Sequence, residues 1–590
     1  MRTKIDCDRS RLIRAAMGQL PCDLTIENVQ FFNVFTGEIY PAEVDILDSL
    51  VVRVREAGKE APLPSAARYD GKGNYLIPGF IDAHMHVEST MMIPENLSRA
   101  ILPWGTTTIC TDPHEIGNVM GVDGVKFMLA NAKKSALRQY VLAPSCVPAV
   151  PGLESTGASF LAGDVAELLD MDDVIGIAEV MDFVGVCQDS ERMHTIIDEG
   201  MKRDLFLQGH APYVSGKELA AYRLGGPLSD HESVTAGEVR EKLRNGFHID
   251  LRASSISDNL KDLVDGCRNH LWRDFVSICT DDVHARDLLT VGHINHVVHK
   301  AVAAGLDSRE VIKMATLNAA REFHFEDLGA VAPGYIADIQ LVESLDGCRP
   351  SAVFAAGKLV AENGVYLGTD KLDGTISFPN TVSIPQVTSP EDFLLRVPEG
   401  YTGDSIVVNV MTPVDSRSVL RKVEPTELPV KDGCVDLSGH SELQLVCVLN
   451  RYGSGGKTIA VYRSFGLRTG ALATTVSHDS HNLTVAYRDP ESAFLATDTL
   501  RRCGGGFCVV NNGDTTTLPL PAAGLMSPAP CEEVASGIEA IQTALAAISD
   551  GSVSLLATSV MCLPVVPGCV MTDKGLVDGL RQQFIPVFPE

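Results

Sequence analysis

From Tyr75 to about Phe325, apolar strand-like runs alternate with helix-like stretches, and nearly every strand-like run ends in a polar group able to bind a metal. The runs are "YLIPGFIDAH", "TTTICTDPH", "QYVLAPSCV", "VIGIAEVMD", "LFLQGHAP", "LSDHE", "FHIDLRASS" and "FVSICTDD"; "VDGVKFMLANAKKSALR" and "SERMHTIIDEGMKR" typify the helical stretches between them. "LSDHE" is the least strand-like of the set. Roughly eight β-then-α units favour an α/β fold closed into a (β/α)8 TIM-like barrel over an open sheet. The C-terminal strand ends of such a barrel form its active-site face, so the polar endings predict a site there. Residues 76–325 are therefore expected to form the barrel.

The flanks differ in rhythm. Short alternating runs over residues 1–75 and the strand-like "GAVAPGYIADIQLVESL" within 326–385 predict a small composite β domain. Residues 386–590 are expected to form a separate C-terminal α/β domain.

The strand endings suggest the chemistry. His84 and His86 lie two apart, so on a strand both project to one side. Glu179, His210, His231 and Asp281 follow at later strand ends. A lone histidine there is more often structural, and a lone aspartate more often caps a helix. Four imidazoles and two carboxylates on one rim instead suit two divalent ions with a shared water.

Composition narrows the partners. With 49 basic and 76 acidic residues the net charge is −27, which argues against general binding to nucleic acid or to an anionic membrane. The 15 scattered cysteines form no Cys-x-x-Cys pair and read as thiols of a reducing compartment. "MRTKIDCDRSRLIRAAMG" lacks the apolar core of a signal peptide, and no apolar run is long enough to span a bilayer. A cytoplasmic protein is expected.

The pattern resembles the amidohydrolase superfamily across "PGFIDAHMH", the later histidines and aspartate, and the closing "GAVAPGYIADIQLV". The usual bridging ligand of that superfamily is a carboxylated lysine on the fourth strand. No lysine occurs between Lys134 and Lys202, and Glu179 stands in its place. With "DAHMHVEST", "TDPHEIGNV", "GHAP", "DHES", "CTDDVHARDLL", "GLRTGALATTVSHDSHN" and "LPLPAAGLMS", the chain closely resembles the adenine deaminase family of bacteria and archaea, almost end to end. The resemblance implies that His84, His86 and Asp281 hold one metal, that His210 and His231 hold the other, and that Glu179 bridges both. It implies manganese first, with iron or zinc as alternatives.

It also implies hydrolysis of adenine to hypoxanthine and ammonia, by attack of a metal-bridging hydroxide on C6. Asp281 would serve as ligand and general base. A second proton-transfer group is needed near ring nitrogen N1, and Glu88, Glu115 and Glu232 are the candidates. Glu88 is preferred because it follows His86 by two residues and shares its side if the strand continues. His114 and Glu115 are placed toward the substrate, with Asp112 and Asp282 in supporting roles. The expected partners are adenine and water, and the large composite domains suggest a homo-oligomer, a dimer.

Another binuclear amidohydrolase, acting on a different aminopurine or a cyclic amide, would use the same ligands. The absent bridging lysine and the long C-terminal domain argue against the cyclic-amide class. "RYGSGGKT" resembles a phosphate loop, but Arg451 stands where the first glycine is required. A non-catalytic relative would have lost ligands, and all six remain. His293, His296 and His299 are read as one helix face, and "HDSH" at His478–His481 as either a closure over the barrel mouth or a domain interface.

Overall fold

The computed structural model describes residues 8–255, 259–368, 377–414 and 420–589. Five strands precede the barrel: β1 (Cys22–Phe32), β2 (Ile39–Leu47), β3 (Leu50–Glu56), β4 (Ser65–Asp70) and β5 (Tyr75–Pro78). The run "YLIPGFIDAH", expected as one strand, breaks between β5 and β6 (Phe80–Met85). Gly79 makes the passage. Its N–H donates to Asp338 O at 2.9 Å, and a Cβ there would meet Thr107 Oγ1 at 2.4 Å.

The barrel continues with β7 (Thr106–Thr111), β8 (Arg138–Ala143), β9 (Val174–Val180), β10 (Phe206–Gly209), β11 (Ser229–Asp230), β12 (His248–Arg252) and β13 (Val276–Cys279). All eight strands are parallel, in one arc of five (β6–β10) and one of three (β11–β13). At one seam Leu228 N donates to Leu207 O at 2.8 Å. At the other, Asp281 N donates to His84 O at 2.9 Å and His86 N to Asp281 O at 3.3 Å. Closing the ring thus joins the backbone of the first and last strands at the residues expected to bind metal. The strand in "LSDHE" is only two residues long.

After the barrel, β14 (Ile339–Val342), β15 (Ala352–Ala355), β16 (Lys358–Glu362) and β17 (Val365–Tyr366) return to the N-terminal strands. β14 pairs antiparallel with β5, which completes a nine-stranded composite sheet. Ile26, Phe31, Val44, Leu76, Ile339 and Phe354 form its core.

The C-terminal region contributes β18 (Ser405–Pro413), β19 (Arg421–Lys431), β20 (Cys434–Val435), β21 (Leu443–Leu449), β22 (Lys457–Arg463), β23 (Ala471–Thr474), β24 (Leu483–Tyr487), β25 (Gly506–Asn511) and β26 (Asp514–Pro519), again one nine-stranded sheet. Its strands alternate faces. Ala471, Ala473, Cys508 and Val510 pack with Ala496 and Leu500 of the helix Pro490–Cys503. Leu472, Phe507 and Val509 face the other way, toward Val534 and Ile538 of the helix Cys531–Ile548 and toward Met85, Met91 and Ile116 of the barrel. One continuous apolar core therefore fastens this domain to the barrel rim. No helix among the described residues is long and apolar enough to cross a membrane. Lys457 donates to Asp392 O at 2.7 Å from an exposed position at the start of β22, and serves that local contact.

Gly209 sits at the β10–β11 seam, where a Cβ would lie 2.2 Å from Ser229 O. Forcing extra volume into such a site costs about 1–3 kcal/mol. Gly209→Ala is expected to lower the thermal unfolding midpoint measurably; an unchanged midpoint by calorimetry would show that the seam has room to spare.

Candidate metal centre

His84 belongs to β6 and His86 follows its end; Glu179 is the penultimate residue of β9; His210 and His231 follow β10 and β11 directly; Asp281 lies just past β13. All six side chains are buried. Their positions at the C-terminal ends of five strands, β6 supplying both His84 and His86, bring them to one point.

Hydrogen bonds set how the first two rings present themselves. Gln208 donates to Ala83 O at 3.2 Å, which turns its Oε1 toward His84 Nδ1 at 2.8 Å. His86 Nδ1 lies 3.0 Å from the carbonyl of Asp112. Both partners are acceptors, so both Nδ1 atoms carry the hydrogen and both Nε2 atoms present lone pairs. Those two Nε2 atoms are 3.1 Å apart. Asp281 Oδ1 lies 3.5 Å from one and 3.3 Å from the other, and Glu179 Oε1 lies 3.3 Å from His86 Nε2. Lone pairs and anionic oxygens this close repel one another unless a positive charge, a proton on a ring or a metal ion, lies among them.

Glu179 reaches both halves of the site. Its Oε2 is 2.5 Å from His210 Nδ1 and 3.1 Å from His231 Nε2. Two ligand triplets result, His84–His86–Glu179 and Glu179–His210–His231; within each the donor atoms lie inside 4.8 Å of one another. The donor set fits a pair of divalent ions sharing one carboxylate. Burial alone would raise the Glu179 carboxyl, but His210, His231 and His86 hold it well below the usual range. Asp281 is likewise held low against its burial, by His84, His86 and the Arg252 guanidinium, which donates to Asp281 Oδ2 at 3.0 Å.

A buried lysine ties the second half together. Lys242 Nζ donates to Asp230 Oδ2 at 2.8 Å and to Ala211 O at 2.7 Å, while Asp230 Oδ1 accepts from Ala211 N at 2.9 Å. The residues beside His231 and His210 are thereby fixed to each other. Losing one partner of such a buried pair typically costs about 3–5 kcal/mol.

Above the six candidate ligands lies a cavity of about 560 Å³, within the range of small-molecule sites. Its floor carries His86, Glu179, His210, His231 and Asp281, and its walls carry His114, Glu232, Arg252, Asn259 and Asp282. The C-terminal domain supplies His478, Asp479 and an apolar roof of Val560, Leu563, Val565, Val566 and Pro567.

The other candidates divide on this geometry. Glu232 lines the cavity and pairs with Arg252. Glu88 does not line it. The chain enters a 3-10 helix at Glu88–Thr90, and Glu88 Oε1 accepts from Ile116 N at 3.1 Å. Burial, then the charge of Glu115, push the Glu88 carboxyl up to about 8. Glu115 is also buried behind the wall, facing His478 and His481. His114 lies between Asp112 Oδ2 at 3.0 Å and Asp479 Oδ1 at 3.2 Å. His293 lies outside the ligand set: its Nε2 is 3.1 Å from Asp82 Oδ2 and its Nδ1 3.0 Å from Thr106 Oγ1. Arg252 and Gln208 escaped the sequence reading. Both had a signal: Arg252 ends a barrel strand, and Gln208 lies two residues before His210.

Residues 75–360 match the amidohydrolase family, and residues 418–583 match the adenine deaminase C-terminal domain. Barrel and site define a metal-dependent amidohydrolase. Adenine deaminase 2 of Carboxydothermus hydrogenoformans is 38% identical over 583 residues, 98% of this chain and 99% of its own. The adenine deaminase of Methanothermobacter thermautotrophicus is 38% identical over 92% of this chain and 96% of its own, and that of Bacillus pumilus 35% identical over 98% of each. The chain belongs to the adenine deaminase family.

Because Glu179 is shared by both triplets, Glu179→Gln is expected to reduce bound metal from near two ions per chain to one or fewer while the fold is retained. Elemental analysis beside circular dichroism checks this; full occupancy in the variant would remove Glu179 from the bridging position.

Proposed function

We propose that this chain hydrolyses adenine to hypoxanthine and ammonia. The observation that carries the substrate is the likeness to adenine deaminases along 98% of the chain, which spans barrel, site and C-terminal domain alike. The geometry supplies a buried donor set, a cavity above it and an apolar roof suited to a flat heteroaromatic ring.

His84, His86 and Asp281 would hold one ion, His210 and His231 the other, with Glu179 between them. Nitrogen and carboxylate donors without thiolate suit manganese, iron or zinc, and manganese is our first assignment. When bound, a pair of divalent ions acidifies a shared water and so supplies a nucleophile at neutral pH. Arg252 fixes Asp281 Oδ2, and Asp281 Oδ1 would accept a proton from the attacking water. Glu232, an anion paired with Arg252 on the cavity wall, would receive that proton from Asp281 and deliver it to N1 as oxygen adds to C6. The roof excludes bulk water and strengthens each of these contacts.

Apo-protein reconstituted separately with manganese, iron and zinc is expected to release ammonia from adenine, with turnover saturating near two ions per chain. Metal uptake without turnover would sink the substrate assignment and leave the metal centre standing. Asp281→Asn is expected to stay folded and lose nearly all turnover. Glu232→Gln is expected to lower kcat by about 10²–10⁴-fold, the usual worth of a proton-transfer group, and Glu88→Gln by much less. The reverse ranking in steady-state assays would move the N1 role to Glu88.

A further inference from the structure

A second cluster of chemistry-bearing side chains lies against the cavity, across the joint between barrel and C-terminal domain. Glu115, His478 and His481 bring three donor atoms within 4.8 Å of one another, all buried. Spacing alone would allow a third metal. The hydrogen bonds argue otherwise. Ser477 N donates to His481 Nδ1 at 3.2 Å, so the hydrogen of a neutral His481 is on Nε2, which faces Glu115 Oε2 at 3.5 Å. That nitrogen has no lone pair to offer an ion.

The cluster instead orients one ring. Glu115 Oε1 faces His478 Nδ1 at 3.3 Å. His478 N donates to Ser559 O at 2.9 Å, and the next residue, Asp479, meets His114 Nε2 at 3.2 Å, so the backbone on either side of the ring is pinned. With Nδ1 directed at a carboxylate, Nε2 is the free end of the ring. It makes no hydrogen bond among the described residues, and His478 lines the cavity that Glu115 does not reach. An imidazole backed by a buried carboxylate, with its far nitrogen open to a site, is a recurrent arrangement for proton transfer.

We infer that His478, supplied by the C-terminal domain and oriented by Glu115 of the barrel, is the catalytic residue that protonates the departing amine. The inference rests on the adenine-hydrolysis reading. In the tetrahedral intermediate C6 carries a hydroxyl and an amino group, and N1 already holds the proton from Glu232. The C6–N6 bond breaks with its electron pair going to nitrogen, and His478 Nε2–H gives its proton to that nitrogen, so neutral ammonia leaves. The C6 hydroxyl gives its proton to Glu232 as the C=O bond forms. Glu232 passes that proton on to His478, so the cycle needs no outside acid. Glu115 is a positioning residue in this scheme.

The test uses His478→Ala and His478→Gln in the full-length, metal-loaded protein, with metal content measured beside turnover. Both are expected to keep near two ions per chain and to lose about 10²–10⁴-fold in kcat. Added imidazole is expected to restore turnover in His478→Ala, whereas pyrrole, of the same shape without a basic nitrogen, is not. Glu115→Gln is expected to lower kcat by roughly tenfold with KM unchanged. Retention of wild-type kcat in the His478 variants, equal rescue by both rings, or rescue by neither would overturn the role. An inactive wild-type protein would fail the adenine reading itself; an active wild type with unimpaired variants fails only the part assigned to His478.

Discussion

Two imidazole nitrogens presenting lone pairs to each other at 3.1 Å is the constraint around which the barrel is organised. Gln208 and the Asp112 carbonyl take the other nitrogen of each ring, so neither ring can relieve the contact by changing tautomer. Two carboxylates, held anionic by their surroundings, crowd the same point. Burying acceptors and anions together is costly without a positive partner. The backbone hydrogen bonds that close the barrel run through His84, His86 and Asp281, so the seam cannot form without assembling this arrangement.

The C-terminal domain completes the site as well as fastening onto it. Its sheet presents one apolar face to the barrel, and Met85, beside both ligand histidines, is part of that shared core. The loop between β23 and β24 then reaches into the cavity with His478 and Asp479, and residues 560–567 cover it. Polar contacts repeat the connection: Asn96 Nδ2 donates to Ala529 O at 2.7 Å, and Asp479 pairs with His114. An open barrel mouth would leave these charges to water, which weakens every interaction that orients them.

Much of the candidate metal site is legible because it obeys strand periodicity. His-x-His at a strand end, then Glu, His, His and Asp at later ends, can be read without coordinates. Which glutamate lines the cavity was not legible, and the reason is local. Glu88 was preferred on the assumption that β6 continues past His86, but the strand ends at Met85 and the chain turns into a 3-10 helix, which sends Glu88 to the amide of Ile116. Glu232 adjoins a ligand histidine after a two-residue strand, too short for alternation to predict where it points. The break at Gly79 was missed because apolar character continues through it, whereas the close approach of Thr107 exists only once the barrel has closed.

By itself, the sequence determined the order of strands and helices, the six candidate ligands at strand ends, and the presence of Glu179 where no lysine stands, since each depends on residues near one another in the chain. Only the tertiary structure decided which nitrogen each histidine presents, which of three glutamates lines the cavity, and that Glu115 and His478 meet across a domain joint. Those outcomes depend on contacts between residues far apart in sequence, such as the ion pair of Glu115 with His478 and the hydrogen bond of His84 with Gln208. No local pattern carries that information, because the partner is chosen by how the domains pack.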